Sequence, residues 1–349
     1  MVENSGTAKI AILGAGSWGA TLAWLLASHG RHVALWSHDS EKVARLRQTL
    51  QLEKPLQITI PANVDISNDL DACVDGAGII LFCCTAQSMG SVAAQVQKAL
   101  TAKVSAGHGK SGFSASAKPV LVSAAKGIEL NTFRRMSEVL SDVVPDHSVC
   151  ALSGPNLAAE VLRGLPTATV VACTDEQVAR VVQHELSTRT FRIYTNTDLV
   201  GVELAGALKN VIAIAAGAVD GLDLGTNAKA ALMSRGLAEM TRLSVAVGAR
   251  GSTLSGLAGM GDLVATCYSS LSRNYRMGYR MARGDSAQAA AKELGAIAEG
   301  VTTATAICEF SRKIGIQLPI AEQVDATLRG DSTPELAIMT LMARPLASE

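Results

Sequence analysis

The chain has few aromatic residues, only 3% of the total, and no net charge, since 31 Lys and Arg are balanced by 31 Asp and Glu. Neutrality removes any global attraction for nucleic acid or an anionic membrane, so a site for an anion has to be built locally. The seven cysteines form no CxxC pair. An odd, scattered set argues against a disulfide framework and for a reducing compartment, which makes the cytoplasm the expected location. His29 and His32 are spaced HxxH with no third ligand type nearby, so no metal site is expected. Charged residues make up only 18% against 48% hydrophobic, which excludes disorder of the whole chain. A length of 349 residues predicts two domains.

Ala, Gly, Val and Leu are abundant instead, a composition suited to closely packed helices and buried strands. The stretch from Ile10 to Ser28 carries no charge and is long enough to suggest a membrane span. Glycines in an ordered pattern interrupt it and no basic segment precedes it, so strand, loop and helix explain it better than a span or a signal peptide. Continuous β-branched runs predict strands buried on both faces at Lys9–Leu13, Val33–Trp36, Gly78–Cys84, Val120–Ala124, Val149–Ser153, Ala168–Ala172 and Phe191–Tyr194. Helical patterns between them make βαβ units, hence an α/β domain with a doubly wound, mostly parallel sheet. Thr101–Lys118, rich in Ser, Gly and Ala and without periodicity, reads as an exposed loop. Strand signals stop after Asn196. The expected division is therefore 1–196 for the sheet domain and 197–349 for an all-α domain.

Gly14-Ala-Gly16-Ser17-Trp18-Gly19 follows the first strand and opens a helix rich in Ala and Leu. This is the G-x-G-x-x-G turn of a Rossmann domain in the context it requires. Gly14 allows the tight turn, Gly16 lets the backbone approach a pyrophosphate, and Gly19 lets helix and strand pack closely. The helix start presents free N–H groups to the phosphates. The acidic residue that usually binds the ribose 2′-OH is missing from Leu35-Trp36-Ser37-His38. Ser37 and His38 would not repel a 2′-phosphate, Arg45 is close in sequence, and Asp39 comes late for the acidic role. The segment permits NADP and favours it; a plain solvated loop at His38 is the alternative.

Lys209 is flanked at helical spacing by Val202, Ala205, Gly206, Ile212, Ala213 and Ala216, all apolar and most of them small. A lysine on such a face either lines a cleft, where desolvation would lower its pKa and suit it to general-base work, or snorkels to the surface. Lys126 lies just beyond the strand Val120–Ala124, where open α/β sheets bind ligands. Ser153-Gly154-Pro155-Asn156-Leu157-Ala158 is a second strand-to-helix turn of that kind. Asp262 lies in a glycine-rich segment, and Ser272-Arg273-Asn274 is either a plain helix start or a phosphate clamp with the Arg273 fork at its centre.

GAGSWG, AAKGIE, SGPNLAAEV, ELAGALKNVIAIAAG, NAKAALMSRGL, GLAGMGDL, SRN and AEGVTTA occur in this order. Together they resemble the bacterial NAD(P)-dependent glycerol-3-phosphate dehydrogenases over nearly the whole chain. The resemblance implies a Rossmann domain followed by a helical domain, interconversion of dihydroxyacetone phosphate and sn-glycerol 3-phosphate with NAD(P)(H), a role in phospholipid supply, and a homodimer. It implies Lys209 as proton acceptor. Lys126, Gly154, Asn156, Asp262, Ser272, Arg273 and Asn274 match substrate-contacting positions. Ser17, Trp18, His38, Lys126, Ala158, Arg273, Ile297 and Glu299 match cofactor-contacting ones, beside Gly14, Gly16 and Gly19. The Thr101–Lys118 loop looks like an insertion, and Asn156 and Ile297 occupy positions that vary in the family. Two rivals remain at this stage. One is a two-domain dehydrogenase of a 3-hydroxy acid or sugar nucleotide. The other is a nonenzymatic Rossmann redox sensor, which would need neither a buried lysine nor a phosphate clamp.

Overall fold

The structure, a computed structural model, describes residues 8–53, 56–106, 118–295 and 298–345. Its described residues fall into two compact units. One comprises the chain up to Ala125 together with Met136–Leu199; the other comprises Lys126–Arg135 and the chain from Val200 onward.

The first unit is built on ten strands: β1 Lys9–Leu13, β2 Val33–Trp36, β3 Gln51–Leu52, β4 Ile58–Thr59, β5 Val64–Ser67, β6 Ala77–Phe82, β7 Val120–Ser123, β8 Val149–Ser153, β9 Thr167–Ala172 and β10 Phe191–Asn196. Eight form one sheet in the order β10-β9-β8-β7-β6-β1-β2-β5, and β3 and β4 make a separate antiparallel pair. All neighbours in the large sheet are parallel except β8 and β9. Alternate residues of each central strand serve opposite cores. Ile10 and Ile12 face one layer with the helix Ser17–Ser28, while Ala11 and Leu13 face the other with the helices Met89–Ala106 and Met136–Val143. Burial of each such Ile or Leu contributes roughly 1.5–3 kcal/mol, which is why these runs carry no polar alternation. The chain crosses β1 to reach β6, so the sheet reverses its winding between those two strands. The turn Gly14–Gly19 lies at that reversal, where doubly wound sheets leave a crevice for a ligand.

The expected loop from Thr101 requires a correction. The helix Met89–Ala106 takes in the first six residues of this segment, because Leu100-Thr-Ala-Lys-Val-Ser-Ala106 contains enough strong helix formers to propagate a helix without a clear apolar stripe. Residues 107–117 of that segment lie outside the described residues.

The second unit is helical. Its centre is the 23-residue helix Leu199–Gly221, which is long and apolar enough to cross a membrane but has 83% of its most apolar window buried within the protein. It crosses the helix Arg273–Ala282 closely. A Cβ on Gly217 would stand 1.9 Å from the Tyr275 carbonyl oxygen, and one on Gly278 would stand 1.8 Å from that of Ile214. Only glycine at both positions allows this approach, which brings the polar residues of the two helices into reach of one another.

Candidate active site

In the sheet unit, the three fingerprint glycines have three distinct physical reasons. Gly14 has φ of 124°, and its Cβ would stand 2.8 Å from the Cys83 carbonyl oxygen. A Cβ on Gly19 would stand 1.9 Å from the Gly14 carbonyl oxygen, so any side chain there would push the helix off the turn. Gly16 has ordinary extended backbone with φ of −78°, and a Cβ there would meet nothing within 4 Å. No intramolecular contact requires glycine at that position; the open space in front of it suits a pyrophosphate lying against the backbone. The helix Ser17–Ser28 has no side-chain cap and no acidic residue in its first turn, which keeps its leading N–H groups and positive dipole end available to phosphate.

The remaining sheet-unit residues have mixed duties. Trp18 packs its ring 6.3 Å from Phe191. Ser37 is buried and accepts from the Asp39 N–H, and Asp39 caps the helix Ser40–Thr49 by accepting from the Lys42 N–H at 2.9 Å. That backbone hydrogen bond holds the exposed Asp39 carboxyl below its usual range. His38 is exposed, with its ring 6.3 Å from that of Trp36. Gly154, with φ of 152°, packs against Thr169, and Asn156 donates to Thr169 Oγ1 at 2.9 Å. Asn156 Oδ1 is buried without a hydrogen-bond partner among the described residues. Ala158 opens the short helix Ala158–Leu162, which packs against the helix of the glycine turn.

In the helical unit, Lys209 is only 6% exposed, and all six neighbours on its face are buried. The snorkelling alternative is therefore excluded. Its ammonium donates to Asp262 Oδ1 at 3.1 Å and to Thr266 Oγ1 at 2.7 Å, and Thr266 donates to the same carboxylate oxygen at 3.2 Å. Lys126 donates to the other oxygen, Asp262 Oδ2, at 2.6 Å. One buried carboxylate thus serves two lysines. Burial alone would raise the Asp262 carboxyl, but the two ammoniums outweigh it and hold it below the usual range. Lys126 is pushed down to about 8, chiefly by burial and further by the charge of Lys209, with Asp262 opposing.

Glycine-rich Leu257–Gly261 folds as a π-helical turn leading into Asp262, the first residue of the helix Asp262–Tyr268. Such turns recur at functional sites because they re-aim the residues that follow. Here Asp262 is no cap: it points inward, and Thr266 four residues on lies on the same face.

Glu299 begins the helix Glu299–Ile314. Burial raises its carboxyl, against the pull of Arg273, Lys209, Lys126 and the Lys126 backbone N–H. Asn210 donates to the Lys126 carbonyl oxygen at 3.2 Å. It also accepts from Asn274 at 2.8 Å, and Asn274 accepts from the Gly300 N–H at 3.0 Å. Ser272 caps the helix Arg273–Ala282 by accepting from the Tyr275 N–H at 3.2 Å. Arg273 is exposed and makes no hydrogen bond or ion pair among the described residues.

Lys126, Lys209, Asp262, Asn274 and Glu299 therefore come together in the helical unit, with Ser272 and Arg273 at the helix start beside Asn274. Ile297 lies outside the described residues. Sequence reasoning missed Thr266 and Asn210. The i, i+4 relation to Asp262 and the polar side chain in an apolar helix were the available signals.

A dinucleotide turn on a doubly wound sheet, and a buried lysine pair on a helical unit, define a pyridine-nucleotide-dependent dehydrogenase. Models of the N-terminal and C-terminal parts of NAD-dependent glycerol-3-phosphate dehydrogenase match residues 9–179 and 198–339. The curated glycerol-3-phosphate dehydrogenase (NAD(P)+) of Koribacter versatilis is 44% identical over 98% of both chains, and that of Geobacter sulfurreducens is 43% identical over 98% of both. The crystal structure of glycerol-3-phosphate dehydrogenase from Coxiella burnetii superposes with a TM-score of 0.87 at 34% identity, over 97% of this chain and 99% of that one. The chain belongs to the NAD-dependent glycerol-3-phosphate dehydrogenase family.

Proposed function

We propose that this enzyme interconverts dihydroxyacetone phosphate and sn-glycerol 3-phosphate with NAD(P)(H), and that Lys209 is the proton acceptor and donor. The observation that carries the reading is the sharing of one buried carboxylate, Asp262, by two lysine ammoniums. With Arg273 counted, three cations face the two carboxylates of Asp262 and Glu299, an excess of positive charge that a substrate phosphate or a developing alkoxide would neutralise. Arg273 adds to it: it starts a helix with no acidic residue in the first turn, a placement the helix dipole disfavours by roughly 0.3–1 kcal/mol unless an anion is bound.

In oxidation, neutral Lys209 accepts the proton from O2 of glycerol 3-phosphate, and in reduction protonated Lys209 returns it. When bound, the nicotinamide accepts or supplies the hydride at C2. Thr266 and Asp262 orient the Lys209 amine through their hydrogen bonds to it. Arg273 holds the phosphate, and that remote contact fixes C2 in place. Lys126, Gly154, Asn156, Ser272 and Asn274 complete the substrate contacts. Gly14, Gly16, Ser17, Trp18, Gly19, His38, Ala158, Ile297 and Glu299 hold the dinucleotide, with Lys126 and Arg273 serving both ligands. The division of labour at 196/197, the supply of glycerol phosphate for phospholipid synthesis, a cytoplasmic location and a homodimer belong to the same proposal. Consumption of NAD(P)H on addition of dihydroxyacetone phosphate, followed by absorbance, is the test. No turnover with this substrate, but turnover with a 3-hydroxy acid, would overturn it.

A further inference from the structure

Lys126 is the first residue of a ten-residue strap, Lys126–Arg135, that follows β7, belongs to the helical unit, and leads into the helix Met136–Val143 of the sheet unit. The strap is nearly closed on itself. Ile128 and Arg135 form an antiparallel bridge, the Glu129 N–H donates to the Arg134 carbonyl oxygen at 3.0 Å, and the Phe133 N–H donates to that of Glu129 at 3.0 Å. Two non-glycine residues of the turn have left-handed backbone, Asn131 with φ of 68° and Phe133 with φ of 61°. Asparagine tolerates this conformation. A phenylalanine there is strained, and such strain persists only where surrounding contacts over-determine it.

Those contacts are specific. The Phe133 ring lies 5.6 Å from that of Phe310, inclined by 30°, and the Lys313 ammonium sits 4.3 Å from the Phe133 ring centroid. Both partners are on the helix Glu299–Ile314, whose first residue accepts from the Lys126 backbone N–H. At the far end of the strap, Arg135 pairs with Glu203 of the helix Leu199–Gly221 at 2.6 Å. The strap is thus tied at its start, its tip and its end to the two helices that carry Glu299 and Lys209. A tip built from Gly or Asn would turn without strain but would leave that point untied.

We infer that Phe133 is a positioning residue: its ring, docked on Phe310 under Lys313, holds the strap closed so that the Lys126 amine stays on Asp262. The inference rests on the reading of Lys126 as a substrate contact. Loosening the tip lets the Lys126 amine drift and regain water, which weakens substrate binding and restores its affinity for a proton. Asp262, Lys209 and Glu299 are the charged groups that face it.

Initial rates of dihydroxyacetone phosphate reduction are measured from about pH 6.5 to 10 for the wild type and for Phe133→Ala, Phe133→Tyr, Phe310→Ala and Lys126→Met. In the wild type, KM rises above about pH 8 as Lys126 loses its proton. In Phe133→Ala, KM at neutral pH increases by about tenfold, the size of effect a misplaced contact produces, while kcat changes by less than about threefold. The alkaline rise in KM moves to higher pH. Phe133→Tyr restores wild-type behaviour, and Phe310→Ala reproduces Phe133→Ala from the other side of the contact, which keeps the test open if Phe133→Ala does not fold. A purely structural role lowers kcat in proportion to the folded fraction and leaves the pH inflection where it was. That result, or an unchanged KM in both alanine variants, overturns the inference. If Lys126→Met has raised KM while the alanine variants are normal, the strap idea alone is lost. A wild-type KM in Lys126→Met removes the reading of Lys126 and the inference with it.

Discussion

Lys209→Met is the most informative single change, because methionine keeps the unbranched shape and apolar packing of the lysine and removes only its amine. The structural cost is bounded by what remains. Asp262 keeps Lys126 at 2.6 Å and Thr266 at 3.2 Å, so the roughly 3–5 kcal/mol usual for stripping a buried charge of its partner is not incurred in full. Thr266 loses a partner at 2.7 Å, about 1 kcal/mol. The variant is expected to fold, to melt a few degrees lower, and to bind NADPH in a fluorescence titration as the wild type does. Its kcat is expected to fall by about 10²–10⁴-fold, the range for a lost general acid–base, or about 3–5 kcal/mol of barrier. Lys209→Arg is expected to be similarly poor, since guanidinium pairs with Asp262 but does not deprotonate at useful pH. One further effect has a definite sign: the Lys209 charge helps to push Lys126 down to about 8, so its removal shifts the Lys126 titration to higher pH. A folded Lys209→Met enzyme with near-normal kcat would falsify the assignment and pass the role of base to Lys126.

Arg273→Ala is expected to lower kcat/KM for dihydroxyacetone phosphate by about 10–100-fold, the worth of a charge-assisted contact, and to leave the poor substrate dihydroxyacetone almost unaffected; equal losses for both would move Arg273 off the phosphate. With Ser37 and His38 in place of an acid, kcat/KM with NADPH is expected at least to equal that with NADH, and a hundredfold preference for NADH would contradict this. Gly16→Ala places a methyl in open space, so its melting temperature should match the wild type while its Kd for NAD(P)H rises at least about tenfold; Gly19→Ala, whose Cβ meets a carbonyl oxygen at 1.9 Å, should instead fail by unfolding. Burial raises the Glu239 carboxyl to about 7 despite the N–H groups of Ile320 and Ala321, so its ionisation costs more in the folded than in the unfolded state. Its contribution to stability is full below about pH 4.5 and is lost as pH rises through about 7, by at most about 3 kcal/mol; urea melts at pH 5.5 and pH 8 should show this slope in the wild type and a flatter one in Glu239→Gln, and identical slopes would refute it.

The sheet was legible where burial on both faces forces an uninterrupted apolar run. Lys9–Leu13, Val33–Trp36 and Val149–Ser153 are strands with the bounds expected of them. The edge strand Val64–Ser67 was not, because one exposed residue in four residues of Val-Asp-Ile-Ser leaves too short a pattern. The two-residue strands of the β3–β4 pair leave none. Nothing in β9 signals that it runs against β8, since an apolar run reads alike in either direction. In the site, Lys209 was legible because it interrupts an apolar helical face. Its pairing with Asp262, 53 residues away, and that of Asp262 with Lys126, 136 residues away, are products of the fold alone. So is the membership of Lys126–Arg135 in the helical unit, for chain order places that segment between β7 and a helix of the sheet.

A chain with no net charge has to make an anion site from local imbalance, and the cations of the helical unit are its proposed source. Two lysines on one carboxylate leave positive charge in a place where burial penalises it, as the lowered pKa of Lys126 records. A second carboxylate, Glu299, lies close by, and burial raises it against the pull of Arg273, Lys209 and Lys126. Arg273 is placed at the wrong end of its helix dipole. Each placement costs stability in the free protein, and under the proposed function the arrival of a phosphate or an alkoxide would offset that cost. The uncharged part of the site behaves oppositely. Asn210 and Asn274 spend their hydrogen bonds on Lys126, Gly206, Gly300 and each other, and so contribute rigidity where the charged residues contribute affinity. The amides fix the helices and the strap in place. With the helices and the strap so fixed, the ammoniums of Lys126 and Lys209 stay on Asp262, where the proposed substrate would meet them.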